Sequence, residues 1–392
     1  MLNPLLTEAR THASMMEEIV HDLHRNPELG RQETATPARI RAELEKLGIE
    51  AVTMADTGVM GIIRGGKPGK TVCFRADMDA LPIQEKTELS YASQVPGVMH
   101  ACGHDVHVAI LLGAAKILMS RKEQLQGNVK LFFQPDEEGF GGAERMILDG
   151  CMEDPPVDAA FCIHVSNSYP AGSVAVRSGA VTAACNTFAV TFRGKGCHGS
   201  SPHLGRDVIV AACQAVMALQ TISSRSVAPT DPVVVTVGAF HAGTAENILP
   251  EEATIKGTIR TMSAQTRQKV KEEFCRIVQA AASAMDVEAD IQIIDGYPAG
   301  RNDAEMTDLM RGAAQKVIGK ENVFEVSTSS MGADDFGYFS EKVPGCYFQV
   351  GTNNPEKGCV YPIHNPKFIA DLDVLPAAAA IYAQIVLDYL NG

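Results

Sequence analysis

Several absences narrow the class of this chain at once. Its first residues, MLNPLLTEARTHASMMEEI, lack a cationic start followed by an apolar run, so no signal peptide is read. Nowhere do 18 apolar residues follow one another, so no membrane span is expected. Positive charge is scarce: 34 Lys plus Arg stand against 47 Asp plus Glu, a formal net charge of −13, with no run of Lys or Arg. That balance disfavours a nucleic-acid groove. It also means that a substrate bearing a carboxylate needs a local arginine. The 10 cysteines are scattered singly, without the framework of a small disulfide-rich domain. With a cytoplasmic address they are expected to be reduced, mostly in the core, with one available to a site.

What is present is a chain of 392 residues, 45% hydrophobic and 21% charged, enough for one large domain or two ordinary ones with well-buried cores. An amphipathic helix is predicted from Thr7 to about Arg25, stopped by Asn26-Pro27, and a second at Pro37–Leu47, ended by Gly48. Apolar runs then alternate with helical stretches: TVCFRA (71–76), VAILLGAAKIL (108–118), NVKLFFQ (128–134) and AAFCIHV (159–165). That rhythm belongs to an α/β domain with a largely parallel sheet. From Ala184 the texture changes to a strand, a helix, two strands, a helix and a strand ending at Asp295. This βαββαβ order predicts a ferredoxin-like α+β insert at 184–295 within a discontinuous α/β domain of 1–183 and 296–392. A helix at 303–318, the strand GCYFQVG (345–351) and an Ala-rich helix from about Asp373 complete the large domain.

Polar groups gather after the predicted strands. Asp77 and Asp79 follow VCFRA, Glu137 and Glu138 follow KLFFQP, His164 ends AFCI, and His364 precedes the last helix. In an open α/β sheet the loops beyond the carboxyl ends of strands form the ligand crevice, so these groups could converge. A single histidine is more often a satisfied polar residue than a ligand. The triple acid Asp136-Glu137-Glu138 followed by Gly-Phe-Gly-Gly is less ordinary, because such crowded like charges call for a cation. In HACGHDVHVAIL (100–111), Cys102 and His104 are two apart and point the same way on an extended segment. His104 and His107 are three apart and share a face once a helix has begun. Spacing alone does not choose between the pairs.

With these motifs the chain resembles the metal-dependent amidohydrolases of the aminoacylase and carboxypeptidase-G type, in the branch of hippurate, indole-acetyl-amino-acid and N-acetyl-diaminopimelate hydrolases. The resemblance runs nearly end to end, through LHRNPELG (23–30), FRADMDALPI (74–83), MHACGHDVHV (99–108), FFQPDEEGFGGA (132–143), GKGCHGSSPH (194–203), GTAENILPEEATIKGTIR (243–260), MGADDFGYF (331–339) and PIHNP (362–366). It implies a zinc-peptidase-like catalytic domain whose mainly parallel sheet is flanked by helices, and makes the insert a lid and dimerisation domain. It also implies two divalent ions per subunit, zinc or manganese, held by Cys102, His104, Glu138, His164 and His364, with Asp79 and Asp105 supporting them from behind. The resemblance gives Glu137 the part of general base and His198, reaching the partner subunit's site, that of oxyanion stabiliser. Asn247 and Arg260 match groups that bind the substrate's carbonyl and carboxylate. Arg260 by itself reads as a surface strand residue, and His203 as structural. Asp77 stands where many relatives carry a histidine ligand, Asp136 where a small residue is commoner, and Asp334-Asp335 where Glu-Asp is usual. The roles of His100, His107, Asp77 and Asp136 stay open.

The implied reaction is hydrolysis of an N-acyl-L-amino acid to a carboxylate and a free amino acid in a cytoplasmic homodimer or tetramer. An alternative is a carboxypeptidase or dipeptidase acting on short peptides, and a third is a metal-storing or redox protein with a retired site. The third fits poorly with a chain that keeps every ligand type and Glu137.

Overall fold

The computed structural model describes residues 3–139 and 141–392. It divides into two compact units, Met1–Val181 with Arg301–Thr328 and Asp335–Gly392, and Thr182–Gly300 with Ser329–Asp334.

The first unit is built on an eight-stranded mixed sheet. Its strands are β1 (Glu50–Met54), β2 (Gly58–Arg64), β3 (Lys67–Asp77), β4 (Gln126–Gln134), β5 (Ala159–Pro170) and β6 (Val174–Val176). After the second unit's strands β7 (Ala184–Arg193), β8 (Val233–Ala242), β9 (Glu252–Thr261) and β10 (Glu288–Asp295) come β11 (Val323–Glu325) and β12 (Gly345–Asn353). The order is β1-β2-β4-β3-β5-β12-β6-β11, and the central run β4-β3-β5-β12 is parallel. Side chains alternate across the sheet as a period of two requires. Phe74, Leu131, Phe133, Phe161 and Ile163 enter a core shared with the helices Ala13–Arg25, His104–Met119, Ala304–Ile318 and Leu375–Asn391. Cys73, Phe132, Ala160 and Cys162 enter the opposite core, beneath the short helices Gly142–Leu148 and Gly337–Ser340. Burial on both faces explains why these strands read as continuous apolar runs. The antiparallel pair β1–β2 and the short strands β6 and β11 were not expected from the pattern.

The expected helix from Thr7 to Arg25 is two helices, Pro4–Arg10 and Ala13–Arg25, parted at Thr11-His12. Asn3 caps the first by accepting the N–H of Leu5 and Leu6, with Pro4 as its first residue, a start signal that the apolar periodicity hid.

The second unit carries β8-β9-β7-β10, all neighbours antiparallel, with helices Val208–Leu219 and Ala264–Ala284 between strands. That is the strand order of a ferredoxin-like βαββαβ unit. The segments Val208–Ser226 and Leu372–Asn391 are long and apolar enough to cross a membrane by length and composition alone. In the latter, Tyr382, Ile385 and Val386 are buried in the first unit's core.

Candidate metal centre

The parallel register brings the polar groups into one row. Asp77 at the end of β3 lies opposite Gln134 of β4, and His164 of β5 lies opposite Gln349 of β12. His164 does not end its strand, which runs on to Pro170. The segment after β3 leads to Gly103, left-handed at φ 84, where the helix His104–Met119 begins. Only glycine suits that position, since a Cβ there would lie 2.4 Å from Val165 Cγ2. Burial of this helix, whose first residue is His104, fixes the loop that carries Cys102.

Four groups of ligand atoms overlap here, each with its members within 4.8 Å of one another. Cys102 joins His104 and His164, and also Glu138 and His364; His104 joins Glu137 and Glu138; Asp77 joins His104 and His107. The five expected ligands and Glu137 are therefore brought together. Cys102 Sγ is 3.4 Å from His164 Nε2, and His364 Nε2 is 3.1 Å from Glu138 Oε1. His364 takes a left-handed φ of 63, and its N–H donates to the carbonyl of Ala101 at 2.8 Å, tying the two loops together.

Hydrogen bonds leave the right nitrogens facing the cluster. Nδ1 of His164 donates to Val165 O at 2.8 Å, so its Nε2 carries the lone pair. Nδ1 of His104 donates to Asp79 O at 2.8 Å, and its buried Nε2 has no hydrogen-bond partner. His107 differs. Its Nδ1 meets Asp77 Oδ1 at 2.5 Å and its Nε2 accepts the Val165 N–H at 2.9 Å, so both nitrogens are used. Both of the spacings that the sequence left level occur in a candidate ligand group, and they differ in that His107 has both nitrogens hydrogen-bonded.

The electrostatics favour a cation. Burial, with the charges of Glu138, Glu137 and Asp77, holds the Cys102 thiol well above its ordinary value, so a thiolate here needs positive charge beside it. Burial, and then the His107 charge, lowers His164 to about 3, which keeps its ring neutral and able to ligate. Burial opposes a charge on His104, yet Asp77, Asp79 and Glu138 outweigh it and raise the ring to about 10. One sulfur, three imidazoles and a carboxylate form a donor set that suits a divalent metal, and the orphaned His104 nitrogen points to where one fits.

Support comes partly from residues that spacing did not reveal. Arg75, 1% exposed, donates to Asp77 Oδ2 at 2.6 Å, Asp335 Oδ1 at 2.7 Å and Gln134 Oε1 at 2.8 Å. Burial would raise Asp77, but Arg75, His104 and His107 hold it well below the carboxylate range. The Asp79 carboxylate accepts the Glu138 N–H at 3.0 Å, steadying that candidate ligand. Asp105, expected behind the ligands, turns elsewhere: its Oδ2 meets His24 Nδ1 at 2.7 Å, and Glu85 meets the other nitrogen of that ring at 3.4 Å. His100 is buried against this cluster with neither ring nitrogen hydrogen-bonded, and burial first of all lowers it to about 4.

In the second unit, His198 and Asn247 are brought together. His198 pairs with Ile248, and Gly199 N–H donates to Asn247 O at 2.8 Å. Ser200 N–H donates to His198 Nδ1 at 3.1 Å, so a neutral His198 carries its proton on Nε2, on an exposed side chain ready to donate. Arg260 is half-buried on β9, paired with Val234 and Cys185. His203 lies exposed in the turn Pro202–Leu204. No disulfide joins the cysteines among the described residues.

Peptidase family M20/M25/M40 matches residues 73–388. A thermostable carboxypeptidase 2 of Saccharolobus solfataricus is 41% identical over 379 residues, covering 95% of each chain. A hippurate hydrolase of Campylobacter jejuni is 38% identical, covering 96% of each. Among solved structures, a dinuclear metal-binding peptidase of the M20 family from Bacillus subtilis superposes with a TM-score of 0.84 at 32% identity, over 97% of this chain and 99% of that one.

Proposed function

The chain belongs to peptidase family M20/M25/M40, a hydrolase family, and from that premise we propose that it cleaves the amide bond of N-acyl-L-amino acids, releasing a carboxylate and a free amino acid. The observation that carries the reading is the pair of adjacent carboxylates on one donor set, Glu138 among the sulfur and imidazole groups and Glu137 within 4.8 Å of His104. Two neighbouring acids in different surroundings can divide ligand and proton-shuttle roles.

Cys102, His104, Glu138, His164 and His364 would hold two divalent ions. The thiolate leans towards zinc, and the imidazoles and carboxylate also suit manganese. When bound, the ions supply an acidified water and a Lewis-acidic contact for the amide carbonyl. Glu137 takes the proton of the attacking water and returns it to the leaving nitrogen. His198 donates its Nε2–H to the developing oxyanion, a contact worth about 3–4 kcal/mol. Arg260 pairs with the substrate carboxylate, against the overall charge of −13. The inserted unit serves as lid and dimer contact, through which His198 reaches the partner subunit's site, and cysteines outside any disulfide fit a reducing, cytoplasmic setting.

A second reading, carboxypeptidase or dipeptidase action on short peptides, is favoured by the likeness to the Saccharolobus carboxypeptidase. Rates of the zinc- and manganese-loaded protein on N-acetyl amino acids, N-benzoyl amino acids and dipeptides separate the two. Faster turnover of acyl amino acids supports the first, and dipeptides alone being cleaved would replace it with the second.

A further inference from the structure

Asp136 precedes the two carboxylates and stands outside every group of candidate ligands among the described residues. Its backbone is left-handed, φ 54, as is that of Arg31, φ 63, on the loop after Pro27. Non-glycine residues hold such angles only where their surroundings over-determine them. Here the surroundings are explicit. Arg31 Nε donates to Asp136 Oδ2 at 2.7 Å, and the Asp136 side chain is 3% exposed against 47% for Arg31. The Asp136 N–H donates to Glu33 Oε1 at 3.1 Å, and its carbonyl accepts from Gly141 and Gly142 at 3.2 and 3.1 Å. A Cβ on Gly30 would lie 2.4 Å from Asp136 Oδ1 and one on Gly139 2.2 Å from it, so the carboxylate sits in space that two glycines leave open.

We infer that the Arg31–Asp136 clasp is a positioning device for the catalytic carboxylates. By fixing Asp136 in the left-handed region it sets the directions in which Glu137 and Glu138 leave the chain. Asp136 therefore does not add charge beside the base, because its charge is turned to Arg31 and matched there. The inference rests on reading Glu137 as base and Glu138 as ligand, and concerns how both are aimed. The motif LHRNPELG, to which the reaction gives no part, thereby acquires one: it ends on Gly30, which makes room for the carboxylate, and is followed by Arg31, which holds it.

The test compares D136A, D136N and R31A with the parent and with E137Q, reading kcat, KM, metal affinity and melting temperature. D136A loses both the clasp and the tolerance of left-handed backbone. Its kcat is expected to fall about 10- to 100-fold at nearly constant KM, and its metal affinity about tenfold or more, as expected when a support behind a ligand is lost. D136N is expected to recover most of both, since asparagine accepts left-handed angles and its amide oxygen still receives the Arg31 N–H. R31A, altered at a half-exposed side chain, should fold and show the same defects in weaker form. D136A and R31A within twofold of the parent in kcat and metal affinity would overturn the inference, as would D136N being as impaired as D136A. Metal affinity keeps the test independent of the substrate: if no acyl amino acid or peptide is cleaved, the functional reading fails while the clasp is still judged.

Discussion

The N–H of Val165 donates to Nε2 of His107 at 2.9 Å, and that bond removes the ring's one lone pair from metal chemistry. His164, the next residue back, turns its Nε2 to the Cys102 thiol at 3.4 Å, a neighbour that is itself a candidate ligand. Neighbouring strand positions thus hold two buried histidines differently: Val165 supplies the N–H that occupies His107, and His164 faces Cys102. We expect H107Q to retain both metal ions with a lower melting temperature, and H164Q to lose at least one ion. Metal content by mass spectrometry checks this, and an H107Q protein depleted of metal would reverse the assignment.

Arg75 is the common donor to Asp77 and Asp335, and all three side chains are 0% exposed. Removing one partner from a buried ionic network leaves charge uncompensated. R75M is expected to destabilise the fold by about 3–5 kcal/mol in urea unfolding. A change below about 1 kcal/mol, the scale of exposed pairs, would show that the network contributes no more than a surface contact.

His24 links the helix Ala13–Arg25 to Asp105. Burial lowers this histidine, but Asp105 and Glu85 prevail and raise it to about 9, while Asp105 is lowered. A raised folded-state value stabilises fully below the ordinary value near ~6.5 and is lost as pH climbs through 9. The Asp105 contribution is present above about pH 4 and lost below it. The gap in stability between parent and H24Q should be on the order of 3 kcal/mol at pH 6 and should close towards pH 9.5. A gap that stays constant between those pH values would mean that packing, and not charge, is what His24 contributes.

Much of this was legible in the sequence because it is periodic or local. Strands β3, β4 and β5 are apolar runs that both faces of a parallel sheet impose, and the acids or histidine come late in each run or just beyond it: Asp77 closes β3, Glu137 and Glu138 follow β4, and His164 lies within β5. Long-range pairings were not legible. Nothing in the spacing announces that Arg75 meets Asp335 across 260 positions, or that Arg31 meets Asp136 across 105. Asp105 sits one residue after the candidate ligand His104 and still faces away from it, since successive helical positions point about 100° apart. The break at Thr11-His12 was missed for a different reason: the apolar pattern continues across it, and only the Asn3 cap and Pro4 mark the separate first helix.

The central claim is that Glu137 moves the proton in amide hydrolysis while the donor set beside it holds metal. Its most direct test is metal content and initial rate of E137Q on the best N-acyl amino acid, side by side with the parent. The account predicts two ions bound, as in the parent, and turnover below a few per cent of it, in line with the loss of roughly 10²–10⁴-fold typical for a removed general base. Metal-replete E137Q that kept more than a few per cent of activity would contradict it.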